Sequence, residues 1–472
     1  MVKNDGRPPD KTLNRGNPES FGLGLAPLFA GRADRSRFRF AGAGRRGRRR
    51  ESMCPVAIRQ RARGRAPGSL RHLLRGLGPE VLAAASDNDP TNVGTAAAVG
   101  SQTGYQLSWV AVLVAPLLAT VMVIAAQVGT VARSDLQSLT LKRYGRGVAA
   151  VLMVSVVSVN LVTIAADLEA GAAGIGLLTG VDPRWVVTPF GVALVGLLLI
   201  GKYDGAVAIL RYLLLGFLTF GLAAFMAHPD WTQLLRGTLI PTLSLRPAEL
   251  TGSLALIGTT LTSYVYVWET IGRGVEEPTD QTPADWRRVR AGSVVGSVAT
   301  SLILWFMLVA CAATLSRQHL TITSAQEAAA ALRPLAGSAA ADLFAAGLVI
   351  SAVVALPILM ATTAHVVGAQ FDWHRGLSEP LRHARPFYAV LVGSLAFAVA
   401  TTLANVPVVS MLEAASVVGG LGTPPCLILL VLLARDPQVM GQKVISRRLA
   451  IAGWAITVLI GSLGLVYIVV SA

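Results

Sequence analysis

From residue 77 to the C-terminus, apolar stretches of about 20 residues alternate with short polar connections, a length that crosses a ~30 Å hydrocarbon layer at ~1.5 Å per helical residue. Eleven such stretches are read, at 77–100, 106–131, 147–178, 185–201, 206–227, 250–272, 292–316, 339–367, 386–405, 408–434 and 449–471. The pattern predicts an all-α polytopic membrane protein. Composition agrees: 53% of the 472 residues are apolar and 14% charged, too little polar surface to cover a soluble globule.

Charge then separates the ends from the middle. Residues 1–76 hold 19 Lys/Arg and 5 Asp/Glu, so nearly all of the chain's +15 lies ahead of the first span. Residues 1–68, rich in Arg, Gly and Pro, are expected to be a disordered basic extension ahead of an eleven-span membrane domain at 69–472. Such a segment can touch anionic inner-leaflet lipid or be dispensable, with Met53 a candidate start; no specific nucleic-acid partner is expected. "FGLGLAPLFAG" is too short and Gly/Pro-interrupted to read as a secretion signal. Cytoplasmic loops gather Lys and Arg, and with the N-terminus inside the remaining basic residues divide 17 to 5 in favour of the inner loops. That asymmetry is expected for an N-terminus inside and a C-terminus outside. Three scattered cysteines support neither a disulfide framework nor a thiolate metal site.

The first span carries "SDNDPTN", residues 86–92. An ionised carboxylate at mid-membrane costs ~2.5–3.5 kcal/mol even on insertion scales, so Asp87 and Asp89 together imply a compensating cation. Pro90 lacks a donor and clashes one turn back, so the helix is expected to break between about 86 and 92, freeing carbonyls beside the carboxylates and the Asn92 amide. An all-oxygen cage suits hard cations. The plainer alternative is a proline kink whose acids are satisfied by hydroxyls of a neighbouring helix. The sixth span matches it with Gly258, Thr259, Thr260, Thr262 and Ser263 ahead of Glu269, hydroxyls that compete for backbone hydrogen bonds. Interrupted helices at equivalent places in two five-span units, about 77–227 and 250–434, point to an inverted-repeat secondary transporter with its site at the midplane. The stretch at 449–471 is then an extra span.

These residues resemble the Nramp divalent-metal transporters, and in particular a bacterial Nramp-like branch. The resemblance rests on "DPTN" at 89–92, with Thr91 where the family has Gly, "AADLEAGAAG" at 165–174, "HPDW" at 228–231, "GTT" followed by "GVEE" around span six, and "AALRPLAG" at 330–337. It covers roughly residues 75–470. It implies a LeuT-type fold of two inverted five-helix repeats plus one span, carrying divalent cations inward as substrate, with no cofactor and no enzymatic activity. By position, Asp89 and Asn92 match first-span ligands, and Ser86 and Thr259 would offer backbone carbonyls. Thr262 falls where transition-metal members place a methionine, which shifts the expectation toward Mg²⁺ or Mn²⁺. Tyr264 replaces the family histidine, which puts proton coupling in doubt, and Asp167 matches a position linked to proton movement.

Further acids are candidates for the transport path: Asp87 as a vestibule charge, Glu169 on span three, Glu269 toward the exit and Glu413 in span ten. Residues two apart on a helix diverge by ~200°, so Asp167 and Glu169 should not face one cavity. His365 reads as structural, and Glu276 and Glu277 as solvated loop acids. Three other readings stand beside this one: a carrier of another cation such as an amine, a metal receptor that does not transport, and an intramembrane enzyme, for which no protease motif is present.

Overall fold

The computed structural model describes residues 79–242, 246–276, 283–316, 325–404 and 408–471, with backbone alone at 79–82, 200–209, 211–212, 247–248, 283–285, 325–326, 334–336, 408–421 and 467–471. The basic segment at 1–68 lies outside the described residues.

All regular structure among the described residues is helical. The first half holds α1 (Pro79–Ser86), α2 (Pro90–Thr103), α3 (Ser108–Ala132), α4 (Leu136–Thr179), α5 (Pro183–Leu213), a 3₁₀ turn at Leu214–Phe217 and α6 (Leu218–Met226). A short surface helix, α7 (Trp231–Leu239), leads to α8 (Pro247–Thr260), α9 (Ser263–Ile271) and a π-helical turn at Gly272–Glu276. There follow α10 (Pro283–Thr314), α11 (Ala325–Ala336), α12 (Ser338–Gln370), α13 (Arg385–Leu403), α14 (Val408–Arg435), α15 (Pro437–Met440) and α16 (Arg447–Ser471). Among the described residues, seven helical segments are long and apolar enough to cross a membrane, the interrupted Glu249–Glu276 among them, and 183–199, 214–226 and 422–435 form shorter apolar helices. The first expected span falls below that length because its halves, α1 and α2, have 8 and 14 residues.

Local chemistry explains most boundaries. Asp135 caps α4 by accepting a hydrogen bond from the Ser138 amide at 2.8 Å. Gly145, at φ 83°, kinks α4 into a short entry helix and the expected third span, a backbone conformation that a Cβ disfavours. One boundary differs: the loop expected at 202–205 is helical, and α5 runs on to Leu213. The "GKYDG" run there contains no proline, and a glycine inside a helix costs only ~1 kcal/mol.

The two interrupted helices lie side by side and antiparallel, α1 against α9 and α2 against α8, with α10 packed along the first of them. On the other flank α4 packs between α12 and α14. Side chains such as Val151, Val192, Leu218 and Val458 are more than half exposed and form an apolar outer surface, as a lipid-facing shell requires. Interior contacts depend on small residues. A Cβ on Gly171 of α4 would stand 2.6 Å from the Ala352 Cβ of α12. Gly171→Ala is therefore expected to overpack this interface by about 1–3 kcal/mol and to lower the unfolding temperature in detergent; an unchanged melt would refute this packing role.

Candidate metal centre

The first break consists of Asp87, Asn88 and Asp89. Ser86 ends α1, and Asp89, with φ −71° and ψ 165°, is the N-cap of α2, with Pro90 in its first turn. Proline is favoured there because its missing N–H is unneeded in a first turn. Pro90 thus restarts a helix that α1 has already ended. The second break is Leu261 and Thr262. Thr262 is extended, at φ −62° and ψ 144°, and precedes α9 without capping it through its side chain.

The breaks are cross-linked by hydrogen bonds. Asp89 Oδ1 accepts from the Asn92 amide at 2.8 Å, and its Oδ2 lies 3.1 Å from the Tyr264 hydroxyl. That same hydroxyl is 2.7 Å from the Ser86 carbonyl oxygen. Asn92 Nδ2 donates to the Asp87 carbonyl at 2.8 Å, while Asn92 Oδ1 accepts from the Thr259 hydroxyl at 3.1 Å. Thr262 donates to Asp87 Oδ1 at 3.2 Å. Asp167 of α4 joins through Oδ1, which accepts from the Thr91 amide at 2.9 Å and the Thr91 hydroxyl at 2.8 Å. Asp87, Asn92 and Asp167 are fully buried, Asp89 nearly so.

Among the described residues no ion pair reaches Asp87, Asp89 or Asp167. Three buried carboxyls without a cationic side chain carry a large desolvation cost when ionised, and a cation held among them would relieve it. The carbonyl ends of α1 and α8, which carry partial negative charge, abut the same breaks and favour positive charge. The available donors are carboxylates, an amide, hydroxyls and main-chain carbonyls. Among the described residues no three His, Cys, Asp or Glu side chains cluster as a metal site by themselves, so a cation here would depend on the neutral oxygens as well.

Eight of the candidate residues are thus brought together: Ser86, Asp87, Asp89, Asn92, Asp167, Thr259, Thr262 and Tyr264. Three are not. Glu169 points away from Asp167, into a separate cleft of about 1000 Å³ shared with Asp182, Arg184 and Glu327. Glu269 is buried at the end of α9, 3.4 Å from Arg273. The Glu413 side chain lies outside the described residues, although α14 contains its backbone.

Glu276, expected in solvent, is instead nearly buried: its Oε1 accepts from the Leu377 amide at 2.9 Å and lies 2.9 Å from His365 Nε2. The π-helical turn redirects Glu276 toward α12, and such turns leave no trace in apolar periodicity. His365 keeps its structural reading, wedged edge-on between Trp268 and Phe387. Glu277 lies outside the described residues.

Sequence reasoning passed over Asn88, Thr91 as a partner of Asp167, and Ser351, whose hydroxyl donates to the Asn88 carbonyl. Ser351 is an isolated hydroxyl among apolar neighbours on α12 and gives no signal. Asn88 could have been noticed, because a carboxamide between two acids in an apolar run is as costly to bury as they are interesting. Both its side-chain polar atoms are buried without a partner, a state worth roughly 1–3 kcal/mol per unsatisfied group.

The fold is similar to that of a manganese transporter from Eremococcus coleocola, solved in complex with an aromatic bis-isothiourea substituted compound. The TM-score is 0.68 at 19% identity, over 85% of this chain and 88% of that one. It is also similar to MhsT in complex with L-phenylalanine, with a TM-score of 0.53 at 16% identity over 83% of this chain and 97% of the other. The architecture is the LeuT-type inverted repeat that the resemblance implied. Residues 80–470 match the family model described as natural resistance-associated macrophage protein-like, and the chain belongs to this Nramp family.

Proposed function

We propose that the protein is a secondary transporter that carries divalent metal cations into the cell, with Mg²⁺ or Mn²⁺ favoured over softer metals. One observation supports this most directly: oxygen donors from both helix breaks converge in a buried cluster that has acids and, among the described residues, no cationic side chain paired with them. The family is one of transporters, so the enzyme reading falls away, and the solved relative named above is a manganese transporter. Asp89, Asn92 and Thr262 would hold the ion with the Ser86 and Thr259 carbonyls, Asp87 beside them. Placement in a bacterial cytoplasmic membrane, N-terminus inside and C-terminus outside, belongs to the same reading.

The test is uptake by purified protein in liposomes with Mg²⁺, Mn²⁺, Cd²⁺ and an organic amine offered separately. Uptake of Mg²⁺ or Mn²⁺ is expected. Movement of Cd²⁺ or the amine with neither hard ion would overturn the preference, and binding without flux would identify a receptor.

Weak or absent proton coupling belongs to the same proposal. A tyrosine, with an ordinary pKa near ~10, stands where a histidine could exchange protons near neutrality, and its hydroxyl is engaged by Asp89 and Ser86. Metal entry should leave a pH dye trapped inside the vesicles unchanged. Acidification that tracks metal entry and disappears in Asp167→Asn would reverse this conclusion.

A further inference from the structure

Asn88 occupies the middle of the first break and has a status that none of its neighbours there shares. Asp89 and Asn92 have both side-chain polar atoms engaged, and Asp87 has one oxygen engaged by Thr262. Asn88 is fully buried, and neither its amide oxygen nor its amide nitrogen has a partner. Its main chain does not swing freely, because its carbonyl accepts from Ser351 on α12. The adjacent Asp87 Oδ2 is likewise buried and without a partner. The main-chain N–H of Asn88 bonds back to the Ala85 carbonyl at 3.1 Å, so only the side chain is left over, and a carboxamide with both ends unsatisfied, beside a half-satisfied carboxylate, is arranged for something that arrives later.

We infer that Asn88 is a specificity-determining residue of the transport cycle, offering its amide oxygen to the divalent cation as a neutral hard ligand between the two aspartates. The inference rests on the transport reading above. Neutrality is the point of the asparagine. It adds an oxygen that hard ions accept without a further negative charge beside the carboxyls of Asp87, Asp89 and Asp167, which would hold a divalent ion too tightly to release. A purely structural asparagine would instead have its amide bonded to a neighbouring helix, as Asn160 has with Thr363 at 3.0 Å.

The experiment compares wild type with Asn88→Leu, a near-isosteric change that removes both polar atoms, and with Asn88→Asp, which retains an oxygen. Uptake in liposomes gives KM and maximal rate for Mg²⁺ and Mn²⁺, and melting with and without saturating Mg²⁺ separates binding from folding. Asn88→Leu is expected to raise KM at least tenfold and to abolish the Mg²⁺-dependent melting shift, while its metal-free melting temperature stays the same or rises. Asn88→Asp should retain a KM no higher than that of wild type and lose maximal rate, because release slows. If the leucine variant does not fold, Asn88→Ala provides the same comparison. An unchanged KM and melting shift in either apolar variant overturns the role of Asn88 and leaves the transport reading intact, whereas wild-type protein that neither binds nor moves a divalent ion overturns both.

Discussion

Asp89→Ala is expected to abolish divalent-cation uptake while leaving a folded protein. Asp89 ties α2 to α9: its Oδ1 caps α2 through the Asn92 amide and its Oδ2 meets the Tyr264 hydroxyl. Removing one member of a buried charged interaction costs roughly 3–5 kcal/mol. At 1.4 kcal/mol per tenfold change, apparent affinity should fall by about two to four orders of magnitude. Part of the loss is structural, since deleting an N-cap costs ~1 kcal/mol by itself. Asp89→Asn separates the two effects. The amide oxygen can still cap α2, so stability should recover while uptake stays low, as measured by metal flux beside a melting curve. Full uptake in Asp89→Ala would remove this residue from the site.

Thr262→Met should produce the next largest effect, a reversal of metal preference and not a loss of function. The threonine hydroxyl donates to Asp87 Oδ1 and gives the cluster a hard oxygen. A thioether replaces it with a polarisable sulfur suited to softer ions. Competition uptake should show Cd²⁺ gaining and Mg²⁺ losing, each by roughly tenfold, about one ligand's worth of ~1.4 kcal/mol. Because the substitution also strips Asp87 of its partner, Mg²⁺ should suffer more than Mn²⁺. Identical selectivity in the variant would show that Thr262 does not face the ion.

The positions of the breaks were legible because their chemistry is local. A proline, two acids and an amide in an apolar run, or five glycine and hydroxyl residues in a second one, have few other uses in hydrocarbon. What Pro90 does was less legible: sequence alone suggested that it breaks a helix, while the fold uses it to begin one. The continuous α5 was missed because a polar run without proline is equally compatible with loop and helix. Glu276 was assigned to solvent from its charged neighbours, and only the π-helical turn and the approach of α12 bring it to His365. The partners of Asp167 and Asn88 come from Thr91 and from Ser351, 263 residues from Asn88 along the chain, and such long-range pairings have no single-sequence signature.

The lacing between the two breaks has a mechanical consequence. Asn92 Oδ1 is held by Thr259, Asp89 Oδ2 by Tyr264, and Asp87 Oδ1 by Thr262, so the oxygens that would grip an ion are also the ones that tie the antiparallel helices together. An arriving cation must compete with these ties. If each contact it gains releases a tie between the halves, the empty protein would be the stiffer one and the occupied protein freer to rock. Coordination energy would then be exchanged for mobility, and a carrier without cargo would be held back from changing sides.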